Sequence, residues 1–196
     1  MKYVMPAIRF KLFMIVLLGF LYPFVMTGIS QAIFQRQASG DFLTRGGQVV
    51  GSRLIAQKFE KSEYFWSRPS AVDYNPLPSG GSNLGLASAD LKKIVDERKT
   101  KLKAAHPEQT VEPPHDLLFA SGSGLDPHIS PAAAQYQLQR VAKARNITNE
   151  KVQSLIEQAS EGRQFGILGE ARVNVLVLNM ALDTAQGIES APLKTK

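Results

Sequence analysis

The chain has 196 residues, 44% hydrophobic and 20% charged, which is the balance of a folded protein and not of a disordered one. It has no cysteine, which excludes disulfides, thiolate metal sites and a cysteine nucleophile. The formal net charge of +6 does not point to nucleic acid. Lys2, Arg9 and Lys11 precede an apolar run, Lys194 and Lys196 lie at the end, and the remaining cations are interleaved with acids instead of forming a stripe with aromatics. A basic chain beside the anionic headgroups of a lipid bilayer is the simpler reading.

Leu12 to Phe34 reads LFMIVLLGFLYPFVMTGISQAIF, without a charge. A helix of this length covers roughly 34 Å, enough to cross a hydrocarbon core of ~30 Å. Ser30-Gln31-Ala32 offers a small-x-small cleavage pattern, but the apolar run exceeds the ~7–15 residues of a signal peptide core, so an uncleaved transmembrane helix over 12–34 is expected. The basic stretch 1–11 predicts a short cytoplasmic N-terminus in the cytoplasmic (inner) membrane, with everything after Phe34 outside. Pro23 predicts a kink, and Gly28 and Ala32 form a small-xxx-small step that lets another helix approach closely.

Residues 35–48 read as a linker closing on a Gly46-Gly47 turn, 49–187 as the domain, and 188–196 as a loose tail. In QVVGSRLIAQKF, Val49, Val50, Leu54 and Ile55 predict a strand with a bend at Gly51. A long polar loop follows over 61–86, including Ser79, Gly80, Gly81, Ser82 and Asn83. Ser88 caps a helix to about Lys103, with Leu91, Ile94, Val95 and Leu102 on one face. DLLFA (116–120) reads as a short buried strand. Ser130 and Pro131 start a helix that Asn146 ends, and Thr148 starts another that Gly162 terminates. Residues 173–183 fit strand or helix, and the spacing of Val173, Leu176, Val177 and Met180 favours helix. The expected fold is a single N-terminal transmembrane α-helix plus a small mixed α/β (α+β) extracytoplasmic domain with a minor sheet.

Chemistry-bearing patterns are few. Phosphate-loop and dinucleotide glycine fingerprints are missing, and His106, His115 and His128 lack metal-ligand spacing, so no metal site is assigned. Ser123, Asp126 and His128 supply the residue types of a serine hydrolase without the strand-to-helix elbow it needs. A membrane-tethered extracytoplasmic hydrolase is therefore the alternative reading. Ser121, Gly122, Ser123, Gly124 and Asp126 otherwise make a strand-to-helix connection, or a rigid turn presented to a partner. Gln135, Gln137, Gln139 and Arg140 read as a solvated helix face, on which Arg140 and Lys143 share a side suited to an anion.

Several stretches resemble the C subunit of the bacterial Kdp potassium-transporting ATPase. They are the N-terminal span with Tyr22-Pro23, GSRLIAQKF (51–59), YFWSRPSA (64–71), YNPLPSGGSNL (74–84), ASGSGLDPHISP (120–131), QRVAKARN (139–146) and RVNVLVLNMALD (172–183). The resemblance covers nearly the whole chain; residues 85–90 depart from the family's more proline-prone continuation. It implies an accessory subunit of a high-affinity, ATP-driven potassium importer, whose channel-like subunit and phosphorylated P-type ATPase subunit are separate partner chains. The chain agrees by omission, with neither a potassium-filter sequence nor an aspartyl-phosphate motif, so no turnover is expected from it alone. ATP belongs to the complex, and no cofactor is assigned to this chain. The family is described as a catalytic chaperone that raises its partner's ATP affinity, with a glutamine implicated in nucleotide contact. The charge-derived topology places the domain across the membrane from cytoplasmic ATP, which conflicts with direct contact, and no nucleotide-binding residue is assigned. The residues expected to meet partners are Pro23, Gly28 and Ala32 on the helix, together with 79–83, 121–124 and Asp126.

Overall fold

The computed structural model describes residues 2–187. The expected tail at 188–196 lies outside them. The chain separates into two compact units, one up to Phe42 and one from Leu43 onward.

The first unit is dominated by a 30-residue helix, Val4–Ile33, unburied throughout and containing an apolar window of mean hydropathy 2.2. It is long and apolar enough to cross a membrane. The helix begins at Val4, ahead of the charge-free run, because Arg9 and Lys11 are compatible with helix and Pro6 falls in its first turn, where a proline is tolerated. Its parts are α1 (Val4–Met14), a π-helical stretch (Ile15–Leu21) and α2 (Tyr22–Ile33). Pro23 explains the widened register. Its ring would crowd the carbonyl four residues back, at Gly19, and it has no N–H to donate. In the wider turn the Tyr22 N–H donates to the Leu17 carbonyl, five residues back. Phe34 leaves helical geometry, and α3 (Gln35–Ala38) adds one turn.

Residues 35–48 thus carry α3 and strand β1 (Phe42–Arg45), which pairs with β2 (Gln48–Ser52). Gly46 and Gly47 both have positive φ (53° and 78°), the backbone a tight two-residue hairpin requires. The expected strand ends at Ser52; Leu54 and Ile55 are exposed. Gly51 keeps the hairpin close to Leu176, since a Cβ there would lie 2.8 Å from Leu176 Cδ2.

The core forms around α6 (Pro131–Arg145), which packs on α7 (Asn149–Ala159), itself against α8 (Val175–Ala185). Each starts at a side-chain cap. Ser130 Oγ accepts from the Ala133 N–H at 3.0 Å, Thr148 Oγ1 from Lys151 at 3.3 Å, and Asn174 Oδ1 from Val177 at 3.1 Å. Asn146 ends α6 in the left-handed conformation. α4 (Ala89–Ala105) follows its Ser88 cap as expected, but only Leu102 on it is fully buried. A small antiparallel sheet has the order β3-β5-β4, from β3 (His128–Ile129), β4 (Ser160–Glu161) and β5 (Arg172–Asn174).

Three further expectations about secondary structure need correction. Residues 116–120 are no strand: α5 (His115–Leu118) is a single helical turn that buries Leu117 and Leu118, starting after Pro114. α7 stops at Ala159, ahead of Gly162, because Ser160 turns extended to pair with Val173. Residues 173–183 are strand and then helix, the switch being made by the Asn174 cap.

Candidate functional site

Residues 53–88 contain no helix or strand, yet they carry Phe59, Tyr64 and Phe65 into the core. Buried side chains replace the missing backbone partners. Asn179 donates to the Phe65 carbonyl (3.0 Å) and accepts its N–H (2.8 Å), while Gln137 does the same to Trp66 at 3.2 and 2.8 Å. Arg140 donates to the carbonyls of Ser62 (2.5 Å) and Tyr64 (3.1 Å), and lies 4.2 Å from the Trp66 ring centroid. Gln137 and Arg140 are therefore core residues and not a solvated, anion-binding face; Lys143 is exposed and paired with Glu108. Burial lowers the Arg140 pKa to about 10, still charged at neutral pH.

Arg140 Nε donates to His106 Nε2 at 2.9 Å, while His106 Nδ1 meets the Leu102 carbonyl at 2.7 Å. Only the neutral Nδ1–H tautomer satisfies both. Burial pushes the His106 pKa down to about 4; the Leu102 bond opposes the shift and Arg140 adds to it. Asp183, fully buried, accepts from Arg145 Nη2 (2.6 Å), Arg45 Nη2 (2.8 Å) and the Tyr64 hydroxyl (3.3 Å).

The two glycine-serine loops meet. A Cβ on Gly81 would lie 3.1 Å from the Gly122 carbonyl oxygen, and one on Gly124 (φ +70°) would lie 2.8 Å from the Gly80 oxygen and 2.7 Å from Val72 Cγ2. Their smallness serves this mutual packing. Below them, Arg68 Nη1 donates to Asp126 Oδ2 at 2.9 Å, and Asp126 Oδ1 accepts the His128 N–H at 3.0 Å. Burial pushes the Asp126 carboxyl up, but the bonds from His128 and Arg68 outweigh it and leave the pKa below its ordinary value. Ser123 Oγ accepts from the Leu125 N–H, so the serine and aspartate expected of a hydrolase are both engaged in turn geometry. Ser79, Ser82 and Asn83 are exposed, as are Gly28 and Ala32, with open space around the Gly28 Cβ position. Among the described residues, no group of three or more acids and histidines is placed to hold a metal.

Sequence reasoning missed one exposed feature. Between β4 and β5 a hairpin bridged at Gln164 and Leu168 carries Phe165, Ile167 and Leu168, which are 91%, 75% and 54% exposed. Its stem is self-neutralised: Arg163 pairs with Glu170 (2.8 Å) and Arg172 with Glu161 (2.9 Å). The signal in the sequence was FGIL between two glycines and two arginines, too short to register as a periodic element.

The sequence model of the K+-transporting ATPase c chain family, KdpC, matches residues 4–184. The chain belongs to the KdpC family. Proteins named potassium-transporting ATPase KdpC subunit are 50% identical to it in Burkholderia mallei and Burkholderia pseudomallei, over 92% of this chain and 95% of theirs. One from Geobacter metallireducens is also 50% identical, over 93% of this chain and 98% of its own. Family membership makes the chain an accessory subunit of a potassium-transport complex. Most of the motifs that carry the likeness build the buried clamp around residues 62–66 or the packed glycine loops.

Proposed function

We propose that this KdpC-family chain is the assembly and stabilising subunit of its complex. Its N-terminal helix spans the inner membrane with the N-terminus cytoplasmic, and its domain docks outside on the channel-like potassium-translocating subunit. The observation that carries this reading is the apolar hairpin tip of Phe165, Ile167 and Leu168, held on a charge-neutral stem. Three large apolar side chains presented together to water are the mark of a surface that a partner covers. The neutral stem favours an apolar cleft in protein over anionic lipid, which rewards Lys and Arg beside the apolar residues. The Gly28–Ala32 step and Pro23 serve helix packing within the bilayer, and loops 79–83 and 121–124, with Asp126, form a second contact surface.

The family's chaperone effect on ATP affinity then acts through the partner subunits: an outer domain reaches cytoplasmic ATP only by way of the P-type ATPase subunit's conformation. Replacing Phe165 and Ile167 with Ser should abolish copurification of the chain with the transporter while leaving its own melting temperature unchanged, because the tip is unburied. Stoichiometric assembly and normal high-affinity potassium uptake in that variant would overturn the reading. Topology is tested separately. The chain has no cysteine, so Ser82→Cys should be labelled in intact cells by a membrane-impermeant maleimide.

A further inference from the structure

A cleft of about 260 Å³ opens between α4 and the segment over residues 58–74, with Leu117 of α5 also in its lining. Its aromatic walls are anchored. The Tyr74 hydroxyl donates to the Arg68 carbonyl at 2.8 Å, and Trp66 Nε1 donates to the Lys61 carbonyl at 3.0 Å. The charged side chains lining it are Lys58, Glu60, Asp73, Arg98 and Lys101. Lys58 is matched, its Nζ lying 2.8 Å from Asp73 and 3.7 Å from Glu60. Arg98 and Lys101, one turn apart on α4, belong to no ion pair among the described residues, whereas Lys99 and Lys103 on the same helix both hold Glu112. Of the Arg98 nitrogens, Nη1 donates to the Leu118 carbonyl at 2.8 Å. Nε and Nη2 are neither bonded nor among the polar atoms buried without a partner, so both reach solvent. Burial lowers the Arg98 pKa, and no carboxylate is among the groups acting on it. Lys101 is exposed, with its Nζ 5.7 Å from the Trp66 ring centroid.

We infer that this cleft receives one Glu or Asp side chain of another subunit of the complex, its carboxylate held by the Arg98 guanidinium and the Lys101 ammonium. Size favours a side chain. The cleft, at about 260 Å³, falls below the ~300–1,000 Å³ of small-molecule pockets. Charge favours a carboxylate over phosphate. Three cations and two acids in the lining leave one positive charge to match, and a dianion would also face Glu60 and Asp73. The guanidinium presents its donors in a planar fork that fits a carboxylate, and the rings of Trp66 and Tyr74 cover the methylene stem behind it. The cleft also adjoins the glycine loops: the carbonyl of Pro69, in its lining, accepts the Ser121 N–H at 3.1 Å. The inference rests on the subunit reading above.

The test uses the full-length chain and the purified complex. A water-soluble carbodiimide joins an amine to a carboxylate only where the two already touch. It should link Lys101 to a Glu or Asp of another subunit, mapped by mass spectrometry. Lys101→Glu should weaken association with the remaining subunits about 10-fold, and Lys101→Arg should hold it within twofold. Lys101 is exposed, so both variants of the isolated chain should melt within about 2 °C of wild type. The cleft proposal is overturned if Lys101→Glu associates within twofold of wild type. It is overturned as well if Lys101 in the assembled complex links only to this chain or to nothing, or if ATP shields Lys101 of the isolated chain from acetylation. In each of those cases the subunit reading stands; failure of the wild-type chain to copurify at all would remove that reading instead.

Discussion

The side-chain amide of Asn179 holds Phe65 by both of its backbone polar groups, accepting the N–H at 2.8 Å and donating to the carbonyl at 3.0 Å. It plays the part a neighbouring strand would play, for a segment that has none. Phe65 and Asn179 are both fully buried, so neither backbone group has water as a substitute. Asn179→Ala should destabilise the full-length chain in detergent by about 2–5 kcal/mol, read as a shift in denaturation midpoint. A loss below about 1 kcal/mol would show that the segment finds other partners.

Acid should loosen the domain through His106. Its folded pKa of about 4 lies below the ordinary histidine value of 6.5, so between those pH values the unfolded chain binds the proton and the folded chain does not. The stabilisation is complete above about pH 6.5 and is lost as pH falls towards 4, with a magnitude of about 3 kcal/mol. Denaturation curves at pH 7.5 and 4.5 should show this fall, and His106→Gln should flatten it over the same window. A parallel profile in that variant would assign the acid sensitivity elsewhere.

Asp183 accepts from both Arg45 and Arg145, and it has no exposure of its own. Asp183→Asn keeps the shape but leaves the buried Arg145 guanidinium facing a neutral amide. The expected cost is about 3–5 kcal/mol, since breaking a buried pair strands charge. Circular dichroism melts and protease sensitivity of the detergent-solubilised chain provide the measurement.

The packed glycine loops separate fold from docking. Gly124→Ala meets both a positive φ and close atoms at Val72 and Gly80, so it should cost about 1–3 kcal/mol of stability. Gly80→Ala meets nothing within 4 Å and should change stability by less than about 0.5 kcal/mol. If loop 79–83 contacts a partner, Gly80→Ala still weakens copurification at unchanged melting temperature; unimpaired assembly would remove that loop from the docking surface.

Local rules were legible in the sequence. The apolar helix near the N-terminus, the caps at Ser88, Ser130, Thr148, and the Gly46-Gly47 turn follow from charge-free length and from single residues acting on their own backbone. Asn174 is the same kind of signal, passed over because the β-branched run around it obscured the change from strand to helix.

What the sequence by itself determined was the membrane-compatible helix, the family likeness and the presence of two glycine-rich loops. Only the tertiary structure decided what those loops and polar residues are for. Gln137 and Arg140 look solvated along their helix, but they are buried because a segment some 70 residues earlier folds over them and needs hydrogen-bond partners. Gly81 and Gly122 are small because each backbone approaches the other across the fold. The N-terminal helix keeps its place as the feature fixed by composition alone, since burying apolar length in lipid needs no long-range partner, whereas a buried amide or a glycine contact exists only once distant parts of the chain meet.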